Sequence, residues 1–309
     1  MMPVPVSVIT GPLGVGKTTA ILDLLRRRGD GRWAVLVNEF GRVGIDGAVL
    51  AEGGVEVREL PGGCVCCAQG PQLQVALVRI LRELRPARLL VEPSGLALPG
   101  AILDLLRRPG IAEAVAVRAT ITLVDAARFA AGAWRDYDAD HAQVDAADVL
   151  VGNRADRATA AELDAFRAAA AELWPPKAVV ATSSYGALDP AWLDLDPTPR
   201  APSLRLLRHA DHAASERGWV WPLEAVFDRG RSLALVQSLL LADGPLGVAA
   251  ARVKGLLRTE RGWLRLDGVD ERVEVWPFQR RTDSRLEVIA PPAADWAAAE
   301  AAVEAARLR

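Results

Sequence analysis

The segment Gly11-Pro-Leu-Gly14-Val-Gly16-Lys17-Thr18-Thr19 constrains this chain more than any other. It follows the apolar, β-branched run Val6–Thr10 and opens the helical pattern Lys17–Arg28, the context that a G-x-x-x-x-G-K-[ST] loop requires. Glycines let the backbone curl so that successive N–H groups face one concavity, and the N-terminus of the following helix adds partial positive charge. A polyphosphate fits such a nest: Lys17 would bridge the β- and γ-phosphates and the Thr18 hydroxyl would ligate Mg²⁺. Gly11, Gly14, Val15, Gly16 and Thr19 complete the expected nucleotide contacts of the loop. A plain glycine-rich turn is the competing reading, but the four fixed positions recur by chance in only about one chain per thousand of this composition. Lysine is otherwise scarce, with Lys17, Lys177 and Lys254 the only three among 37 basic residues. A guanidinium does not replace an ammonium well in so tight a loop, which accounts for one surviving lysine.

Short apolar runs alternate with helical stretches through the first half of the chain. Strands are expected at Val6–Thr10, Ala34–Asn38, Val55–Glu59, Arg88–Val91, Ala119–Val124, Val149–Val151 and Lys177–Ala181. Helices are expected at Lys17–Arg28, Gln72–Arg85 and Thr159–Leu173, the last opening on the capping-box pattern Thr159-x-x-Glu162. This alternation predicts an α/β fold, a P-loop NTPase domain with a mostly parallel sheet. Three prolines between Asp194 and Pro202 mark a linker. The expected division is a nucleotide-binding domain over 1–195, a linker over 196–218 and a smaller α+β domain over 219–309. In the latter, strands are expected at Trp219–Asp228, Ala250–Glu260, Gly262–Leu266, Arg272–Pro277 and Leu286–Ile289, helices near Ser232–Ala242 and Ala294–Leu308, and an aromatic-rich core built on Trp219, Trp221, Trp263, Trp276 and Trp296.

Acidic and basic residues nearly cancel, 39 against 37, so neither nucleic acid nor an anionic membrane is an expected partner. Met1 to Thr10 lacks a basic region followed by a long apolar one, and no uncharged apolar run is long enough to span a bilayer. The only cysteines, Cys64, Cys66 and Cys67, are too close together to form a disulfide framework. A metal or redox site in a reducing, cytoplasmic setting is the expectation.

Two further stations bear on the nucleotide. Leu89-Leu90-Val91 leads into Glu92-Pro93-Ser94-Gly95, which puts a carboxylate at the ligand-bearing end of a parallel strand. Glu92 would hold Mg²⁺ through water and the Gly95 N–H would sense the γ-phosphate; a surface turn is the alternative. After Val149–Val151 comes Asn153-Arg154-Ala155-Asp156. P-loop GTPases read guanine here with an Asn-Lys-x-Asp segment. Asp156 would accept from the base, Asn153 would support the site and the Arg154 guanidinium would lie on the purine face. An Asn- and Asp-rich capping turn competes with this reading.

In Pro61-Gly62-Gly63-Cys64-Val65-Cys66-Cys67, an extended backbone projects Cys64 and Cys66 to one side, and Cys67 joins them where the chain bends into a helix. Thiolates suit Zn²⁺ and, less selectively, Co²⁺, Ni²⁺ or Cu⁺. Three ligands leave a fourth position open, which fits an exchangeable site better than a closed structural one. Structural cysteines or a redox switch remain the alternatives.

Taken in order, these stations resemble the CobW-type GTPase metallochaperones, relatives of the GTPases of urease and hydrogenase maturation. The resemblance also draws on Asn38-Glu39-Phe40-Gly41 with Gly44-Ile45-Asp46, on Leu96-Ala97-x-Pro99, on Gln143 with Ala147-Asp148, and on Arg252-Val253-Lys254-Gly255. It spans essentially the whole chain. It implies slow Mg²⁺-dependent hydrolysis of GTP to GDP and binding of Zn²⁺, or next Co²⁺, at the cysteines. It further implies a switch over Asn38–Asp46, with Glu39 an additional metal contact, and transfer to a client metalloprotein or cofactor-synthesis enzyme, by a monomer or a metal-linked dimer. Lys17, Thr18 and Glu92 would form the catalytic set. Arg154 departs from the family's lysine. In place of a histidine-rich stretch there are only His141, His209 and His212, which favours metal transfer over buffering. Competing functions are a P-loop kinase or ligase with structural cysteines, and a redox-sensing nucleotide-binding module. No catalytic base stands out in the sequence.

Overall fold

The computed structural model describes residues 2–27, 31–38, 56–60, 70–95, 97–135, 137–198, 215–241, 243–269, 271–278, 283–291 and 293–308. Glu39, Cys64, Cys66, Cys67, His209, His212 and most of the expected switch and linker lie outside them. Contacts divide the chain into two compact units; the described residues of the first end at Thr198 and those of the second begin at Ser215.

The first unit is a parallel α/β sheet. Its strands are β1 (Val4–Thr10), β2 (Trp33–Asn38), β3 (Glu56–Leu60), β4 (Arg88–Glu92), β5 (Val115–Val117), β6 (Ile121–Asp125), β7 (Val149–Asn153) and β8 (Val179–Thr182). They lie in the order β3-β2-β4-β1-β6-β7-β8, with β5 also beside β1, and every pairing is parallel. The apolar runs read as strands because helices cover both faces, which buries even the Ser7 and Thr10 side chains of β1. The expected strand Ala119–Val124 is β6, which begins two residues later and ends one residue later, and β5 is a separate short strand before it. β5 pairs the first half of β1 and β6 the second, and the Arg118 N–H donates to Val6 O at 2.8 Å between them.

Helix α1 (Lys17–Arg26) buries Ala20, Ile21, Leu24 and Leu25 against Ile9, Val35, Val37 and Leu90, the i, i+3, i+4 stripe of a core-facing helix. Next come α2 (Gly70–Arg79), α3 (Pro99–Leu106), α4 (Ala126–Ala130), α5 (Asp138–Ala146) and α6 (Ala160–Ala171). The stretch expected as one helix over Gln72–Arg85 is α2 followed by a π-helical turn at Ile80–Leu84, stopped by Arg85 in the left-handed region before Pro86. The capping box on α6 is formed: Thr159 Oγ1 accepts from Glu162 N, and Glu162 accepts from Thr159 N at 2.7 Å. Lys177, which no motif accounts for, donates to Val144 O at 2.7 Å and Asp145 O at 3.4 Å, closing the C-terminus of α5 with a cation.

The second unit is an antiparallel sheet of β9 (Ser215–Pro222), β10 (Arg252–Thr259), β11 (Gly262–Val269), β12 (Arg272–Pro277) and β13 (Asp283–Ala290), ordered β12-β11-β10-β13-β9. Helices α7 (Arg229–Leu240) and α8 (Trp296–Ala305) cover one face, giving an α+β unit. β9 ends at Pro222, which has no N–H for the ladder, instead of running to Asp228; Phe227 makes separate bridges to Thr259 and Arg307. The core is mainly Val, Leu and Ala. Of the five tryptophans only Trp221 is buried, edge-on to Phe227 at 4.9 Å, while Trp276 is exposed. On the opposite face of β10, Arg252 makes a two-armed pair with Asp267 at 2.8 and 3.2 Å.

Candidate functional site

β1 is flanked by β4 on one side and β6 on the other, so the connections leaving the carboxyl ends of these strands diverge at β1 and open a crevice there. The glycine-rich loop lies in that position. Gly11 has φ 144°, and a Cβ there would stand 2.2 Å from Leu123 O, so only glycine fits against β6. Gly16, with φ 102°, begins α1 without a side-chain cap, and the first turn of α1 carries no acid. The N–H groups of this turn are therefore left for an external anion. Lys17 is buried and donates to Gly11 O at 3.0 Å and Pro12 O at 3.1 Å, folded back over its own loop.

Thr18, in the first turn of α1, and Glu92, at the end of β4, meet beneath the loop. The Thr18 hydroxyl donates to Glu92 Oε1 at 2.9 Å, and both residues are buried. Two hard oxygen donors side by side below a phosphate loop are a donor set that suits Mg²⁺. Gly95 follows at the closest approach of the β4 turn to the loop: a Cβ there would lie 2.6 Å from Leu13 N and 2.7 Å from Leu13 Cα. This turn is held from behind by Gln143 of α5, fully buried, whose Nε2 donates to Gly95 O at 2.9 Å and Ala97 O at 3.2 Å. The sequence places Gln143 among the family stations without a task; its task depends on packing between segments nearly fifty residues apart.

The end of β7 forms the other wall. Asn153 Nδ2 donates to Val15 O at 2.8 Å and Asn153 Oδ1 accepts from Gly186 N at 3.1 Å, so one buried amide ties the phosphate loop to the loop after β8. That loop is fastened further by Ala155 N to Ser183 O at 2.9 Å and by Ser183 Oγ to Ala187 O at 2.7 Å. Arg154 adopts φ 60° and spreads its guanidinium between Gly14 O at 2.8 Å and Asp125 Oδ2 at 3.2 Å. Asp125 also caps α4 by accepting from Arg128 N at 3.1 Å. Asp156 is exposed, its carboxylate 3.9 Å from Arg157 Nε.

The structure thus brings Gly11, Gly14, Val15, Gly16, Lys17, Thr18, Glu92, Gly95, Asn153 and Arg154 into one connected site. Asp125 and Gly186 are members that sequence reasoning missed; for Gly186 the available signal was the turn Tyr185-Gly186 after an expected strand. Among the described residues no group of three or more His, Cys, Asp or Glu is placed to hold a metal, and no helix is long and apolar enough to cross a membrane.

The chain is 35% identical to the zinc chaperone YeiR of Escherichia coli (strain K12), covering 98% of each chain. It is 41% identical to the zinc chaperone CobW of Sinorhizobium sp over 150 residues, 46% of this chain and 42% of that protein. The Zn(II)-bound YjiA GTPase crystal structure from E. coli aligns over 100% of both chains at 21% identity, with a TM-score of 0.46, too low to bear on the details of the site. Residues 5–181, more than half the chain, match the family described as CobW/HypB/UreG, nucleotide-binding domain, and the chain belongs to that family.

Proposed function

We propose that the protein is a GTP-hydrolysing zinc chaperone. The observation that carries the nucleotide half is the Thr18–Glu92 pair, 2.9 Å apart beneath an uncapped helix N-terminus and beside the buried ammonium of Lys17. In this reading the loop N–H groups and Lys17 bind the phosphates of GTP, and Asn153, Arg154 and Asp156 form the base side. Thr18 and Glu92 hold Mg²⁺, directly and through water; when bound, the ion offsets charge that builds on the β- and γ-phosphate oxygens. Gly95, braced by Gln143, reads whether the terminal phosphate is present.

The cargo is Zn²⁺, held by Cys64, Cys66 and Cys67 with Glu39 as an additional ligand. Support comes from the soft thiolate set and from full-length similarity to a protein named a zinc chaperone. The recipient is a client metalloprotein or cofactor-synthesis enzyme. Charge of the nucleotide and of the cysteine segment couple through the switch over Asn38–Asp46, so that capture and release belong to different nucleotide states. Titration of the full-length reduced protein with Zn²⁺ and Co²⁺, once with a slowly hydrolysed GTP analogue and once with GDP, tests this. A Zn²⁺ affinity that changes with the nucleotide is expected. Equal affinities in both states refute nucleotide-driven transfer, since a ligand that does not distinguish two states cannot shift them.

A further inference from the structure

Among the described residues, none named so far in the site is assigned to the attacking water. β6 ends at the ligand-bearing edge of the sheet and β7 begins at the opposite edge; after α4 and the turn at 133–135, α5 returns the chain toward β7, so its first turn lies on the ligand-bearing side. Its first turn carries Asp138 and Asp140. One turn further along the same side of the helix is Gln143, whose amide grips the Gly95 turn that lies against the phosphate loop. Asp140 is half-buried on this side, within electrostatic reach of Lys17 on α1 and Arg128 on α4. The remaining charges on the elements packed with α5 are Asp125 on β6, Asp104 on α3 and Arg135 in the turn before α5, and on α5 itself Asp138, His141 and Asp145.

We propose that Asp140 is the catalytic carboxylate that orients the water attacking the terminal phosphate of the bound nucleotide and accepts its proton. The inference rests on the hydrolase reading above. The water oxygen forms a bond to the γ-phosphorus as the bond from that phosphorus to the β–γ bridging oxygen breaks, and the electron pair leaves with GDP. One water proton passes to the Asp140 carboxylate and from there to solvent or to the released phosphate. Burial raises the Asp140 carboxyl to about 6, with Arg128 and then Lys17 opposing the rise. A group poised near neutrality combines a useful charged fraction with real basicity. The negative γ-phosphate pushes the carboxyl higher still when nucleotide is bound.

The test compares the full-length protein with Asp140→Asn and Asp140→Glu, reading nucleotide affinity with a fluorescent GTP analogue and single-turnover GTP hydrolysis from pH 5 to 9. In Asp140→Asn, affinity should stay close to that of the parent while hydrolysis slows by about 10²-fold. The acid limb of the parent's rate profile, centred at or above about 6, should vanish in the same variant and return in part with Glu. Parental turnover in Asp140→Asn, or an unchanged acid limb, overturns the assignment and leaves the hydrolase reading standing. Nucleotide binding without turnover in the parent overturns both. Lost affinity in Asp140→Asn with parental turnover at saturation makes Asp140 a binding residue and overturns its role with water.

Discussion

Asn153→Ala removes a side chain that joins the phosphate loop to the loop after β8. In the parent its amide satisfies two buried backbone groups, the Val15 carbonyl at 2.8 Å and the Gly186 N–H at 3.1 Å. Alanine leaves both without this partner. A stranded buried backbone group costs about 1–3 kcal/mol; two give roughly 2–6 kcal/mol, and because the crevice admits some water, about 3 kcal/mol is the working figure. Alanine creates no compensating freedom at Gly16. A Cβ on Gly16 would meet Asn153 Nδ2 at 2.7 Å, but φ stays at 102° whatever stands opposite. If the loop is freed to wander and must be re-ordered by nucleotide, about 3 kcal/mol appears as a loss of affinity on the order of 10²-fold. Asn153→Asp discriminates the two bonds: its carboxylate still accepts from Gly186 but repels the Val15 carbonyl, so its affinity should fall at least as far. The assays are nucleotide titration and amide hydrogen exchange, which resolves local opening without assuming two-state unfolding. Unchanged exchange in the 11–16 loop together with parental affinity in Asn153→Ala would refute the tether.

Three further outcomes follow from the same geometry. Gly95→Ala places a methyl 2.6 Å from Leu13 N, backbone that cannot rotate away, and should slow hydrolysis more than it weakens GDP binding; equal effects on both would mean the turn does not sense the third phosphate. Thr18→Ala should remove the Mg²⁺ dependence of nucleotide affinity while leaving the Mg²⁺-free affinity near that of the parent, read by titration with and without chelator. Thr159→Ala should lower the melting temperature at neutral pH and do so less in acid. The Thr159 backbone N–H, and next its hydroxyl, hold the Glu162 carboxyl below the ordinary glutamate range. Alanine keeps the N–H bond and removes the hydroxyl's share, which is present above that range and disappears as pH falls through the lowered value. A pH-independent difference between parent and variant would count against the box as the source.

What was legible in the sequence was what is local. The loop Gly11–Thr18 needs only its own residues and the strand and helix beside it, so its pattern carried over intact, and Glu92 was readable because a strand end fixes where its side chain emerges. The capping box at Thr159 and Glu162 spans four residues and was equally plain. The task of Gln143 was not, because its amide meets the Gly95 turn only across a long stretch of chain. Lys177 is the same case in reverse: its place at the end of α5 is set by a helix more than thirty residues earlier. The short strand β5 was hidden too: Arg118 and Thr120 interrupt the apolar residues before β6, and nothing local shows that β1 will pair with two successive strands.

Arg154 shows how a departure from a motif acquires a reason once its surroundings are known. Read alone, it is a lysine position filled in a chain that favours arginine. In the fold, one arm of its fork reaches Gly14 O and the other reaches Asp125. A lysine ends in a single point and would satisfy the loop carbonyl while leaving Asp125 without its cation beside a polyanion site. Asp125 cannot simply be dispensed with, because its other oxygen caps α4, whose Arg128 lies within reach of Asp140. The guanidinium therefore joins three segments that a lysine would join in pairs: the phosphate loop, the end of β6 and the end of β7. Through Asp125 the same guanidinium is tied to the N-terminus of α4, so the residue that departs from the family's lysine bears on the loop and on that helix together.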